Sequence, residues 1–151
     1  MKQDISKKTE AVDFGGFDSI VIVKHGADIP GGRTLDVTGF PLNVIKASHV
    51  VITDGKGVYK PFPVKQKMNS ATPVVDAEGN PVYEYGSLPE SFSICGMVYR
   101  SVLKSAPAVS ILTQGIVNDV VMKEQYIELG AIAAQFKTAC PDITFTHDEE
   151  A

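Results

Sequence analysis

From residue 19 to residue 112 the apolar positions come in short, β-branched runs broken by Gly, Pro, Asn and Asp. From residue 121 to residue 139 they recur at helical spacing instead. The first run, Ser-Ile-Val-Ile-Val at 19–23, predicts a buried strand. Asp-Ile-Pro-Gly-Gly-Arg at 28–33 predicts a turn, because proline sets φ and glycine tolerates positive φ. Residues 34–37 read as extended, and 43–47 fit either a strand or a turn of helix. Residues 49–53 predict a strand, Asp54-Gly55-Lys56-Gly57 a hairpin turn and 58–60 the return strand. Pro61-Phe62-Pro63 then takes the chain off the ladder or onto a sheet edge, since proline has no N–H to donate.

Residues 65–90 are rich in turn formers, with one short strand expected at 82–85. Residues 92–99 predict a strand with Phe92, Ile94, Gly96 and Val98 on one parity and Cys95 and Met97 on the other. Both faces of that strand are then covered. Residues 106–112 predict an antiparallel partner for it, followed by Gly-Ile-Val-Asn at 115–118. The helical stripe is Met122, Tyr126, Leu129, Ala133, Phe136 and Cys140, all on one face of a helix over 121–139. Asn118 or Asp119 is placed to cap it. Gly130 weakens its interior by about 1 kcal/mol relative to alanine. Pro141 ends it, and 143–145 form a last short strand.

These elements predict a mainly β (α+β) fold: a small antiparallel β domain over 18–145 with one C-terminal amphipathic helix. Residues 1–17 read as a polar N-terminal arm, flexible in the free protein, and 146–151 as an acidic tail. The arm's candidate contact residues are Asp13, Phe14 and Phe17. Phe14 and Phe17 flank Gly15-Gly16 and either pack on the chain's own core or order against a partner.

Composition narrows the function. A net charge of −4 and a pI near 5.3 argue against a dedicated nucleic-acid binder, which needs clustered Lys and Arg. Lys7-Lys8 and Lys65 with Lys67 are small basic spots. No apolar run approaches the ~20 residues of a membrane helix, and the charged N-terminus lacks the apolar stretch of a secretory signal. Cys95 and Cys140 read as buried small hydrophobes rather than a disulfide, as fits a chain made in a reducing cytoplasm.

Candidate chemistry is sparse. His25, His49 and His147 lie far from one another and from either cysteine, so no zinc site assembles locally. His49 reads as a satisfied packing residue, His25 as a strand-end or loop residue and His147 as a solvated tail residue. Gly31-Gly32-Arg33-Thr34 lacks the frame of a phosphate loop. Ser93 and Cys95 lie in a strand rather than at a nucleophile elbow. The expectation is no catalytic, cofactor-binding or metal-binding residue and no cofactor. Tyr59, Phe62, Tyr83 and Tyr85 are candidate surface or interface residues, with Phe62 and the Tyr83/Tyr85 pair available to a subunit interface.

The chain resembles the capsid decoration and head-fibre base proteins of tailed phages, the lambda-type head decoration protein among them. The resemblance rests on the polar arm, on Gly-Arg-Thr-Leu-Asp-Val at 32–37, and on the 49–53 strand leading into Tyr-Lys-Pro-Phe-Pro at 59–63. It is carried furthest by Ile-Cys-Gly-Met-Val at 94–98, the 109–112 strand, Gly-Ile-Val-Asn at 115–118 and the helix ending in Pro-Asp-Ile-Thr-Phe at 141–145. It covers roughly residues 30–145 of the sequence. It implies a non-enzymatic homotrimer on the outside of a phage head, bound to the major capsid protein, and made in the host bacterial cytoplasm. The arm then attaches by adding a strand to the capsid. The alternatives are a β-rich adhesion or carbohydrate-binding module and a small enzyme with a dispersed site.

Overall fold

The computed structural model describes residues 18–147, so Asp13, Phe14, Phe17 and the rest of the arm lie outside the described residues, as do 148–151. The fold is mainly antiparallel β with a few short helices. A helical turn α1 (Asp18–Val21) leads into β1 (Ile22–Asp28), then β2 (Arg33–Thr34), β3 (Val44–Ile45), β4 (Val50–Thr53) and β5 (Tyr59–Pro61). Short strands β6 (Val64–Gln66), β7 (Met68–Asn69), β8 (Thr72–Pro73) and β9 (Tyr83–Tyr85) follow. Next come β10 (Ser93–Val98), β11 (Val102–Leu103), β12 (Ala108–Val109) and β13 (Ile111–Asn118). The chain closes with α2 (Asp119–Gln125), a 3-10 turn (Gly130–Ile132), α3 (Ala133–Ala139) and β14 (Ile143–Thr146).

Six strands form one sheet in the order β1-β13-β10-β4-β5, with β14 beside β13. The hairpin β4–β5 turns through Asp54, whose carboxylate accepts the Lys56 and Val58 N–H groups. Pro61 sits in β5 at the sheet edge, where its missing N–H leaves no gap in a ladder. Side chains alternate along β4. Val50 and Ile52 join a core under the helices, whereas Val51 joins a second core with Leu35, Phe40, Ile45, Val98 and Ile111. Both faces of the sheet are therefore covered. Gly96 is needed between β10 and β13, because a Cβ there would run into the Leu112 carbonyl.

Four expectations are corrected. Residues 19–21 are a helical turn rather than a strand, and the strand begins at Ile22 with Val23 out in solvent. The strand expected over 106–112 is divided at Ser110: β12 pairs with β2, and β13 runs on through Gly-Ile-Val-Asn at 115–118. β13 pairs with β1 on one edge and with β10 and then β14 on the other. Thr146 belongs to β14, opposite Asn118, and not to a tail.

The fourth correction concerns the helix. It is broken at Tyr126 (φ −152°, ψ −114°) and at Gly130, whose φ of +52° is left-handed and suits glycine. The apolar stripe survives the break, since Met122, Leu129, Phe136 and Cys140 are all buried. Ile127 supplies the physical reason. On an unbroken helix it would point about 140° away from that stripe. With the helix broken, Ile127 is buried in the same core, a gain of about 1.5–3 kcal/mol over leaving it exposed. The broken helix forms the crossover over 119–142 that a parallel β13–β14 pair requires. Asn118 caps α2, its side chain accepting the Val121 N–H.

The ribbon that leaves the sheet after β5 lies beside the end of α2. β6 pairs with β9, and beyond Gln66 the ribbon forks. Lys67 donates to the Val82 carbonyl and accepts from Val74, while Val82 donates to Val74. One prong is the β7–β8 hairpin. The other turns at 76–80, where Asp76 accepts the Glu78 and Asn80 N–H groups.

Phe136 is 0% exposed and packs against Phe145 at a centroid distance of 6.0 Å. Phe136→Ala is expected to destabilise the fold by about 3–5 kcal/mol in chemical denaturation. A near-neutral effect would mean that α3 does not face the core.

Candidate functional site

The polar centre of the molecule is His49, fully buried at the start of β4. A tight turn delivers it there. The His49 N–H donates to the Lys46 carbonyl, with Ser48 between them at φ +79°. His49 Nε2 lies 3.0 Å from the Phe62 carbonyl and Nδ1 lies 2.9 Å from the Tyr126 hydroxyl. A carbonyl only accepts, so Nε2 carries the proton. Nδ1 of the neutral ring then accepts from the Tyr126 O–H. The rings of Phe40, Tyr85 and Tyr126 surround the imidazole at 5.3, 5.2 and 5.5 Å. The Tyr85 hydroxyl in turn accepts the Val50 N–H at 3.1 Å.

This enclosure sets the electrostatics. Burial pushes the His49 pKa down to about 4, against the partial support of the Phe62 carbonyl. Burial also raises the Tyr85 and Tyr126 hydroxyls above their ordinary value. The Cys95 thiol is pushed up to about 12 and the Cys140 thiol to about 11, burial again being the leading cause. At neutral pH the imidazole, both hydroxyls and both thiols are uncharged. The cysteines are free and act as small core residues. The arrangement ties β4, the residue after β5, β9 and the end of α2 to one point.

Tyr126 is the link between this centre and the surface. It lines an open groove of about 470 Å³ between the ribbon and the end of α2, with Tyr83, Val82, Lys46 and Glu124. A second groove of about 380 Å³ lies across the Gly130 bend, floored by Met122, Leu129 and Phe145. On its rim His147 pairs with Asp119 at 2.7 Å, so the histidine expected to be solvated is exposed but partnered. His25 lies within β1 and pairs with Asp28 at 3.5 Å.

The candidate surface residues divide. Phe62 is 0% exposed and Tyr85 is buried, so both are corrected from interface to core. Phe62 lies inside because the chain leaves the edge strand toward the sheet face, where its ring meets Tyr85 at 5.5 Å. Tyr59 and Tyr83 are half-buried. Tyr59 carries the Arg33 guanidinium 5.3 Å above its ring, and Tyr83 forms the groove wall. The sequence reading missed Tyr126 as a hydrogen-bond donor. Its place on the apolar stripe gave no sign that its hydroxyl meets a histidine. Among the described residues no group of three or more His, Cys, Asp or Glu is placed to hold a metal ion, and no helix is long and apolar enough to cross a membrane.

His49 makes stability depend on pH in a defined window. Its folded pKa lies below its ordinary value of 6.5, so the unfolded chain takes up the proton first. Stability is full above pH 6.5 and falls as the pH drops toward 4. Urea titrations at pH 7 and pH 5 are expected to differ by about 2 kcal/mol on this account. His49→Leu removes that difference while lowering stability at pH 7, because the Phe62 carbonyl and Tyr126 hydroxyl lose their partner. An unchanged pH dependence in His49→Leu would refute the assignment.

Compared with protein-family models, with curated proteins and with solved structures, the chain matches none.

Proposed function

We infer that this chain is a structural virion protein, a capsid decoration or head-fibre base protein that binds the outside of a tailed-phage head as a homotrimer and stabilises it. The observation that carries this reading is the forked ribbon over residues 64–85. It presents Met68 49% exposed and Val75 53% exposed on its prongs, apolar surface left open to a partner. The side chains that carry chemistry elsewhere (His49, Tyr85, Tyr126 and the cysteines) are committed to holding the fold. A shell-stabilising protein works through many weak contacts repeated by symmetry, and multivalent attachment makes modest single-site affinity sufficient. The partner is the major capsid protein and the location is the virion exterior. Neither a cofactor nor a catalytic step enters this reading.

Two measurements test it. Light scattering over a range of concentration is expected to give the mass of three chains. Co-sedimentation with emptied tailed-phage heads that lack a decoration protein is expected to carry the chain into the pellet. Binding to a saccharide array without binding to heads would overturn the reading in favour of an adhesion module. Asp18 anchors the start of the described fold, its carboxylate accepting the Ser101 N–H at 2.7 Å and the Ser101 hydroxyl at 2.6 Å. A chain lacking residues 1–17 is therefore expected to keep its melting curve and to bind heads more weakly. Loss of folding on that deletion would sink the attachment role of the arm.

A further inference from the structure

We propose that the groove between the forked ribbon and the end of α2 binds a neutral oligosaccharide. The inference goes beyond the virion reading and does not depend on it.

The groove is longer than its hollow of about 470 Å³. A second hollow of about 200 Å³ adjoins it and shares Val82, Tyr83, Lys123 and Tyr126. The open surface therefore runs on past Tyr83 to the Gly130 bend. Both tyrosines are half-buried along it. The Tyr126 hydroxyl is committed to His49 at 2.9 Å, so Tyr126 offers the groove its ring.

Free hydrogen-bonding groups reach this groove from three parts of the chain. Asn43 comes just before β3, Glu124 and Gln125 from the end of α2, and Tyr83 from β9. Among the described residues, the Asn43 and Gln125 side-chain amides, the Glu124 carboxylate and the Tyr83 hydroxyl have no hydrogen-bond partner. The backbone adds a further pair. The Lys67 N–H donates to the Val82 carbonyl and the Gly86 N–H to the Pro63 carbonyl. Hydrogen-bonded pairs alternate along an antiparallel ladder, so the Tyr83 N–H and C=O point away from β6.

The charges select a ligand without net charge. Lys46, Lys123, Asp76 and Glu124 line the larger hollow, two of each sign. Lys67, Lys123, Glu84 and Glu128 line the smaller one, again two of each sign. A nucleic acid or other polyanion needs clustered cations instead. An added peptide strand would have to pair along the outer edge of β9. That edge is three residues long and lies against the 3-10 turn, which leaves no room for a strand. The chemistry that fits is uncharged, rich in hydroxyls and apolar on its ring faces, as in a chain of hexopyranose units. Such rings pack their C–H faces on tyrosine, and their hydroxyls meet the free amides, carboxylate and backbone groups.

An array of neutral and anionic oligosaccharides, followed by amide-resolved NMR titration with the strongest neutral binder, tests the site on the full chain. The binder is expected to shift the amides of Tyr83, Glu124 and Gln125 saturably. Tyr83→Ala and Glu124→Ala are each expected to weaken binding by about tenfold or more, since each removes a ligand contact. Circular dichroism melting shows that each variant is folded. Tyr83 also packs on the core, whereas Glu124 is exposed, so Glu124→Ala keeps the test decisive if Tyr83→Ala unfolds. Arg100→Ala, in the hollow beside β1, is expected to leave binding unchanged. The proposal is overturned if no neutral oligosaccharide binds, if the shifts map outside this groove, or if Glu124→Ala binds as the wild type does. Binding confined to anionic saccharides, or to acetylated and amidated trialanine, also overturns it. Co-sedimentation with heads judges the virion reading separately, and a chain that binds both heads and a saccharide satisfies both.

Discussion

Strand β13 must satisfy hydrogen-bonding groups on both edges along eight residues, and this constraint organises the rest of the sheet. Buried backbone groups left unpaired are expensive. One edge is filled by β1. The other is filled first by β10 at Ile111 and Leu112, then by β14 from Gly115 to Asn118. The second filling is parallel, so the chain needs a long crossover to reach it, and the broken helix is that crossover. Gly115 permits the close approach of β1, because a Cβ there would meet the Lys24 carbonyl. The chain after β13 thus returns to complete the central strand.

His49 is the second fixed point. A neutral imidazole has one donor and one acceptor, and here each finds one partner. The partners come from distant parts of the chain, Phe62 after the edge strand and Tyr126 at the break of the helix. A phenylalanine at position 49 would leave the Phe62 carbonyl and the Tyr126 hydroxyl without their bonds to the ring. The histidine therefore specifies how the helical segment seats on the sheet. Its burial keeps the ring uncharged near neutral pH, and that places it among the groups that hold the molecule together.

With the reactive groups directed inward, the surface carries the functional argument. The sheet edges are poor templates for further pairing. β5 contains Pro61, and β1 has three irregularities in its register with β13. Such edges resist uncontrolled strand addition. Exposed apolar side chains are found instead on the forked ribbon, at Met68 and Val75.

Local pattern was enough for the β-rich class, the Asp54–Gly57 hairpin and the edge role of Pro61, and it narrowed the helix cap to Asn118 or Asp119. Each of these follows from near neighbours: a turn residue, a missing N–H, a short polar side chain before an apolar stripe. The same local reading joined α2 and α3 into one helix, because the apolar stripe keeps helical spacing through the break. It also placed Phe62 and Tyr85 at an interface, because a short turn-rich sequence does not say which way its rings face. Those outcomes depended on contacts across the fold: Ile127 reaching the core, Tyr126 reaching His49, and β14 reaching β13 over the 119–142 crossover. The sequence alone determined which segments extend and where they turn, since those preferences act within a few residues. Only the tertiary structure decided which side chains are buried together, because that depends on pairings between residues far apart along the chain.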